Sequence, residues 1–151
     1  MDDGERVLAF LEGEGVDAAG RTLFEVLAFD DAALERNHDF IQWLFPLDEP
    51  SVAVPEAPVL DAAAVAAIRG SELAPCALAA GVYRMTLFYR RTRQWLRPHH
   101  HNHLRITRII RSLRLLSGDE PADAFRDVIL WRVAATRAPV SARSRGYWQT
   151  A

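Results

Sequence analysis

Two stretches of this chain carry residue types that could do chemistry. His99 to His103 reads H-H-H-N-H and runs into Arg105 to Leu116, R-I-T-R-I-I-R-S-L-R-L-L. Wound at about 100° per residue, Ile106, Ile109, Ile110, Leu113 and Leu116 share one arc, and Arg105, Arg108, Arg111 and Arg114 fall opposite. His101, Arg105 and Arg108 then form a stripe beside the apolar arc, with Asn102 next to it. Arginine forks near the N–H groups of a helix start suit a carboxylate or phosphate. The second stretch is a helix expected from Ala32 to about Phe45, mostly apolar. Glu35, His38, Asp39 and Gln42 form its narrow polar stripe at i, i+3, i+4 and i+7.

These residues admit other chemistry. Glu35-x-x-His38 has the spacing used in carboxylate-bridged di-metal bundles, but the second Glu-x-x-His such a site needs is missing. A mononuclear site from Glu35, His38 and one or two of His99, His101 and His103 is the remaining metal reading. Against it stands a structural role, histidines that cap a helix start. The arginines could equally pair with the acidic first half of the chain. We therefore assign no metal ligand, no cofactor and no catalytic residue from the sequence. Cys76 reads as a small core residue. Ser51, Ser112 and Ser117 lack a glycine elbow. Nucleic acid is an unfavoured partner, since the arginine face has little aromatic interleaving and no helix-turn-helix signature accompanies it.

The 151 residues carry a net charge of −2 that hides a segregation. Residues 1–80 hold sixteen acids and four arginines; residues 81–151 hold four acids and fourteen arginines, with no lysine anywhere. A basic second half favours an anionic partner or packing on the acidic first half. The single cysteine rules out an internal disulfide. No signal peptide is visible, and no apolar run approaches the about 20 residues that span a bilayer. The expectation is a cytoplasmic protein.

The elements that must position these residues read as helices throughout. A first helix covers Met1 to Glu14. A Thr22–Glu25 capping box opens a short segment with Leu23, Phe24, Val26 and Leu27 inward. Pro46 ends the helix that starts at Ala32, and prolines 46, 50, 55 and 58 mark an extended connector. Asp61 caps a helix ended by Gly70, and a long helix runs to about Arg91. Trp95 anchors the turn before the cationic helix. A last helix runs from Asp119 or Glu120 to about Ala135, with Phe125, Val128, Ile129 and Val133 inward. Trp43, Trp95 and Trp131 read as core anchors. The expected fold is all-α, one compact domain of five to seven helices over 1–137, followed by a partly ordered Arg-rich tail, 138–151.

Leu34 to Leu47, L-E-R-N-H-D-F-I-Q-W-L-F-P-L, and His99 to Leu113 together resemble the conserved region of the opioid growth factor receptor family. Met85, Phe88 and Tyr89 resemble that family's long helix, so the likeness runs over roughly residues 20 to 135. Asn37, His38, Asp39, Gln42, Trp43, His99, His101, Asn102, Arg105, Thr107 and Arg108 match its motifs, whereas His103 departs from the apolar residue expected there. The resemblance implies a bacterial-type member without the animal repeats, and a peptide-receptor role by name only. Animal members are described as receptors for an enkephalin peptide. The favoured reading is thus a non-catalytic module binding a small anionic or peptidic ligand through Glu35, His38, Asp39, Gln42, His101, Asn102, Arg105 and Arg108. A small metal-dependent hydrolase or lyase is the alternative, and anion or nucleic-acid binding by the Arg-rich helix is a third.

Overall fold

The computed structural model describes residues 1–151 and is all-α, with nine helices and no strand beyond one isolated bridge between Val16 and Thr22. The helix count exceeds the five to seven expected because two segments subdivide or order unexpectedly. The chain forms two packed units, Met1–Gly81 and Val82–Ala151, and one helix runs across that boundary.

In the first unit, α1 (Asp3–Leu11) opens with a capping box. The Asp2 carboxylate accepts from the Glu5 N–H, and Glu5 accepts from the Asp2 N–H. α2 (Leu23–Leu27) repeats the device with Thr22 and Glu25, as the sequence predicts. The Thr22 N–H bonded to the Glu25 carboxylate, with the Thr22 side chain adding to it, holds the Glu25 carboxyl below its usual range. Phe24 nevertheless points to solvent, because α2 is one turn long and buries only Leu23 and Val26.

The predicted helix Ala32 to Phe45 is in fact two. α3 (Asp31–Arg36) ends where Asn37 turns extended and its side-chain amide donates to the Ala33 carbonyl at 2.9 Å. α4 (Ile41–Leu44) begins after Phe40. Asn, His and Asp in sequence compete with the helix for backbone hydrogen bonds, and here they win. The stripe at i, i+3, i+4 and i+7 therefore does not exist as one helical face.

α5 (Ala62–Gly70) is capped by Asp61, whose carboxylate accepts from the Ala64 N–H. It lies against α1, which also touches α4. Gly4 makes that approach feasible: a Cβ there would sit 2.5 Å from the Ala64 Cβ. Phe10 meets Trp43 edge-on at 5.9 Å, and the Arg6 guanidinium covers the same indole. Gly81, on α6 (Ala74–Arg91), stands where a Cβ would crowd Leu44 and Phe45 at 3.0–3.1 Å. Cys76 is exposed, not core, because the inward residues of this part of α6 are Ala74, Ala77 and Leu78.

The second unit contains the rest of α6, α7 (His101–Leu116), α8 (Asp119–Thr136) and α9 (Ala142–Thr150). α7 packs most extensively on α8 and also meets α9. Its apolar arc is buried as expected. The cationic face is not uniform, however: Arg105 is only 6% exposed, Arg108 and Arg114 are half-buried, and Arg111 is exposed. Arg114 bridges to Asp119 and Asp123 of α8, and this pairing holds the Asp123 carboxyl below its usual range. The stretch expected as a partly ordered tail forms α9, capped by Ser141, and Trp148 on it is fully buried. Trp131, expected as an anchor, is 67% exposed.

No single helix is long and apolar enough to cross a membrane; α5 and α6 meet that standard of length and composition only together, through a bend of 87°.

Truncating Trp148 to Ala should lower stability by about 3–5 kcal/mol in urea unfolding, whereas Trp131→Ala should change it by under about 0.5 kcal/mol. Gly4→Val should destabilise the first unit, since the added side chain meets the Ala64 Cβ and backbone, with a lower unfolding midpoint as the readout.

Candidate functional site

The eight residues singled out from the sequence divide between the units. Glu35 on α3 is half-buried, and His38 and Asp39 lie exposed in the break before α4. Asp39 joins Arg21, which also bonds the buried Asp17 at 2.8 Å and thereby ties the 17–21 loop. Gln42 on α4 is buried, and its Oε1 has no hydrogen-bond partner.

In the second unit, Asn102 and Arg105 sit together. The Asn102 Oδ1 accepts from the Tyr89 hydroxyl at 3.2 Å and from the Arg105 guanidinium at 3.4 Å. Asn102 is completely buried, which gives it a packing and orienting role within this unit. His101 is exposed, and Arg108 is half-buried. None of Glu35, His38, His101, Asn102, Arg105 and Arg108 is without a partner.

A more open arrangement lies on the other flank of α7. His99, His100, His103, Leu104, Thr107 and Arg111 line one side of a groove, and Ser141, Arg143, Ser144 and Tyr147 from the start of α9 line the other. Its volume is about 470 Å³, within the range of small-ligand sites. At 100° per residue, positions 103, 107 and 111 fall on one side of the buried arc, and 101, 105 and 108 on the opposite side. The groove therefore uses a different stripe of the same helix.

His103 forms the inner end of the groove, and its polar groups are all engaged. Its Nε2 lies 2.8 Å from the Trp95 carbonyl and its Nδ1 2.9 Å from the Ser144 hydroxyl. A carbonyl only accepts, so Nε2 carries the hydrogen and Nδ1 is the acceptor in the neutral ring. The Ser144 hydroxyl donates to Nδ1 and receives one from Ser141 at 3.1 Å. The His103 carbonyl accepts from the Trp148 indole and from the Thr107 hydroxyl. Burial pushes the His103 pKa down, the Trp95 carbonyl opposes this, and His99 adds to the lowering.

With both ring nitrogens taken, His103 does not offer itself to a metal. His100 accepts from the Asn102 N–H through Nδ1, so it caps the start of α7, the structural role set against metal binding above. Sequence reading missed Ser141, Arg143, Ser144 and Tyr147 by treating 138–151 as a tail. The available signal was Ser141 three residues before Ser144, with Ser144 and Trp148 at i, i+4: an N-cap followed by a helical face.

Residues 19–89 match the family model of the opioid growth factor receptor (OGFr) conserved region. The match includes Leu34 to Leu47 and the Met85, Phe88, Tyr89 triplet, and it ends before His99 to Leu113. It is thus shorter than the likeness read from the motifs, and every residue lining the groove lies outside the OGFr match. Neither a curated protein nor a solved structure matches the chain.

A histidine buried in its neutral form makes stability pH-dependent. Its folded pKa lies below the unfolded value of about 6.5. Its contribution is present above that pH and is lost as the pH falls through the lower folded value. The thermal unfolding midpoint should therefore fall on acidification more in the native protein than in His103→Gln.

Proposed function

We propose that this chain is a ligand-binding module whose second unit takes a short anionic or peptidic ligand in the groove between α7 and α9. The observation that carries this reading is the lining itself. It holds Arg111, Arg143 and three histidines, and no carboxylate. An open concavity lined by cations and hydroxyls attracts an anion.

The rim adds apolar area. Leu104 is 67% exposed and Tyr147 48% exposed, both beside the groove. Arg143 lies over the Tyr147 ring with its centroid 5.7 Å away, and its Nε donates to the Tyr147 hydroxyl. Such a pair presents a flat, amphipathic surface to an aromatic or aliphatic side chain. A short peptide would place its terminal carboxylate toward Arg111 and Arg143 and a side chain on Leu104 and Tyr147. The resemblance to the opioid growth factor receptor family makes a peptide, an enkephalin among them, the first ligand to test, although the matched residues 19–89 do not line the groove.

Titration calorimetry with an enkephalin peptide and with its C-terminal amide tests this. The acid form should bind and the amide should bind at least about tenfold more weakly, a loss of about 1.4 kcal/mol. The double substitution Arg111→Ala, Arg143→Ala should abolish that preference. Equal affinity for acid and amide would sink the anion reading.

A further inference from the structure

The groove's inner end has a chemical property that ligand binding does not require. We infer that Ser144 and His103 form a nucleophile–base pair, oriented by the Trp95 carbonyl, that cleaves carboxylic esters in this groove.

Three linked contacts support the assignment. Ser144 Oγ is 2.9 Å from His103 Nδ1, and His103 Nε2 is 2.8 Å from the Trp95 carbonyl. That carbonyl takes over the orienting part of a carboxylate's role in a serine–histidine–aspartate triad, without its charge: it holds the ring and fixes the tautomer in which the nitrogen facing the serine is unprotonated. The third contact runs from the Ser141 hydroxyl to Ser144 Oγ at 3.1 Å, so the hydrogen bonds all run one way, from Ser141 through Ser144 to His103.

The surroundings suit the reaction. His103 is buried, yet Ser144 lines the open groove, so the base is shielded while the nucleophile faces the ligand space. Burial favours the neutral ring, which is the form that accepts a proton. Ser144 stands in the first turn of α9. The Ala142 and Arg143 N–H groups of that turn have no intrahelical acceptor, so they and the Arg143 guanidinium can stabilise an oxyanion.

The chemistry balances without a redox partner. Ser144 Oγ bonds to the ester carbonyl carbon as its proton passes to His103 Nδ1. The carbon–alkoxy bond then breaks, and the alcohol leaves with that proton. Water adds to the acyl group, giving a proton to Nδ1; Ser144 Oγ departs and regains it, and a carboxylic acid is released. The substrate class is a small ester, with Arg111 and Arg143 favouring one that carries an anionic group.

The proposal rests on the groove admitting a ligand, but its test does not depend on peptide binding. The purified full chain is treated with a fluorophosphonate, and peptide mass spectrometry locates the adduct; p-nitrophenyl acetate hydrolysis is followed in parallel. Labelling is expected at Ser144. Ser144→Ala should lose the label and slow hydrolysis by about 10²–10⁴-fold, while Ser117→Ala keeps both. The rate should fall on acidification with one ionisation below the ordinary histidine value. The titratable and charged groups around His103 are His99, His100, Arg111, Arg143 and Tyr147, and Trp95 and Trp148 cover its other sides. Because His103→Gln could unfold, the decisive readout is the label on the native protein. No label at Ser144, or hydrolysis unchanged in a folded Ser144→Ala, overturns the assignment and leaves the pair as a tie between α7 and α9. Peptide binding without labelling separates that outcome from failure of the groove itself.

Discussion

The second unit depends on the satisfaction of one buried histidine. His103 enters the interior with two ring nitrogens and a carbonyl that also receives side-chain donors, and each group needs a partner to offset its loss of water. The Trp95 carbonyl takes the Nε2 hydrogen, Ser144 supplies the Nδ1 bond, and the Trp148 indole reaches the His103 carbonyl at 3.1 Å. The partners come from two segments, the connector before α7 and α9. The connector before α7, α7 itself and α9 are therefore pinned at a common point. Trp95 and Trp148 bring large apolar surfaces to the same place, with the His103 ring edge-on to Trp148 at 5.3 Å. Hydrophobic burial supplies the main driving force there, and the hydrogen bonds decide the register.

The first unit is held differently. Its helices are short, four to nine residues where they are complete, so none could persist on propensity alone. Caps compensate: Asp2, Thr22, Asp30 and Asp61 each accept from an N–H of the helix that follows. Close approach does the rest. Gly4 lets α1 reach Ala64 on α5, and Gly81 leaves room for Leu44 and Phe45. Asp17, buried at 3% exposure, caps its own loop and fixes Arg21, which then holds Asp39 in the break before α4. The helix-breaking Asn37–Asp39 run is thus anchored rather than loose.

The two faces of α7 separate packing from ligand recognition. On one flank, Asn102 and Arg105 are drawn inward with Tyr89, and the Asn102 Oδ1 accepts from both. On the other flank, Thr107 and Arg111 open onto the groove with the first turn of α9. The arginine richness of this half is consequently divided among buried bonding, helix-to-helix pairing through Arg114, and an open electropositive lining.

Local rules acting over a few residues were legible in the chain as written. The all-α class, the Thr22–Glu25 capping box, the Asp61 cap, the buried arc of α7 and the anchoring by Trp95 all follow from spacing and residue type, because each depends on neighbours within about one or two turns. What the chain alone left open involves partners far apart or a contest between two local preferences. Asn37 to Asp39 could continue a helix or break it, and the Asn37 side chain bonding to Ala33 decided the matter. Trp131 and Trp148 are the same residue type, yet one faces water and the other is sealed, since burial depends on which surface the rest of the unit brings to it. Ser144 meets His103 across 41 positions of sequence; no periodicity encodes that meeting, and only the packing of α9 on α7 creates it.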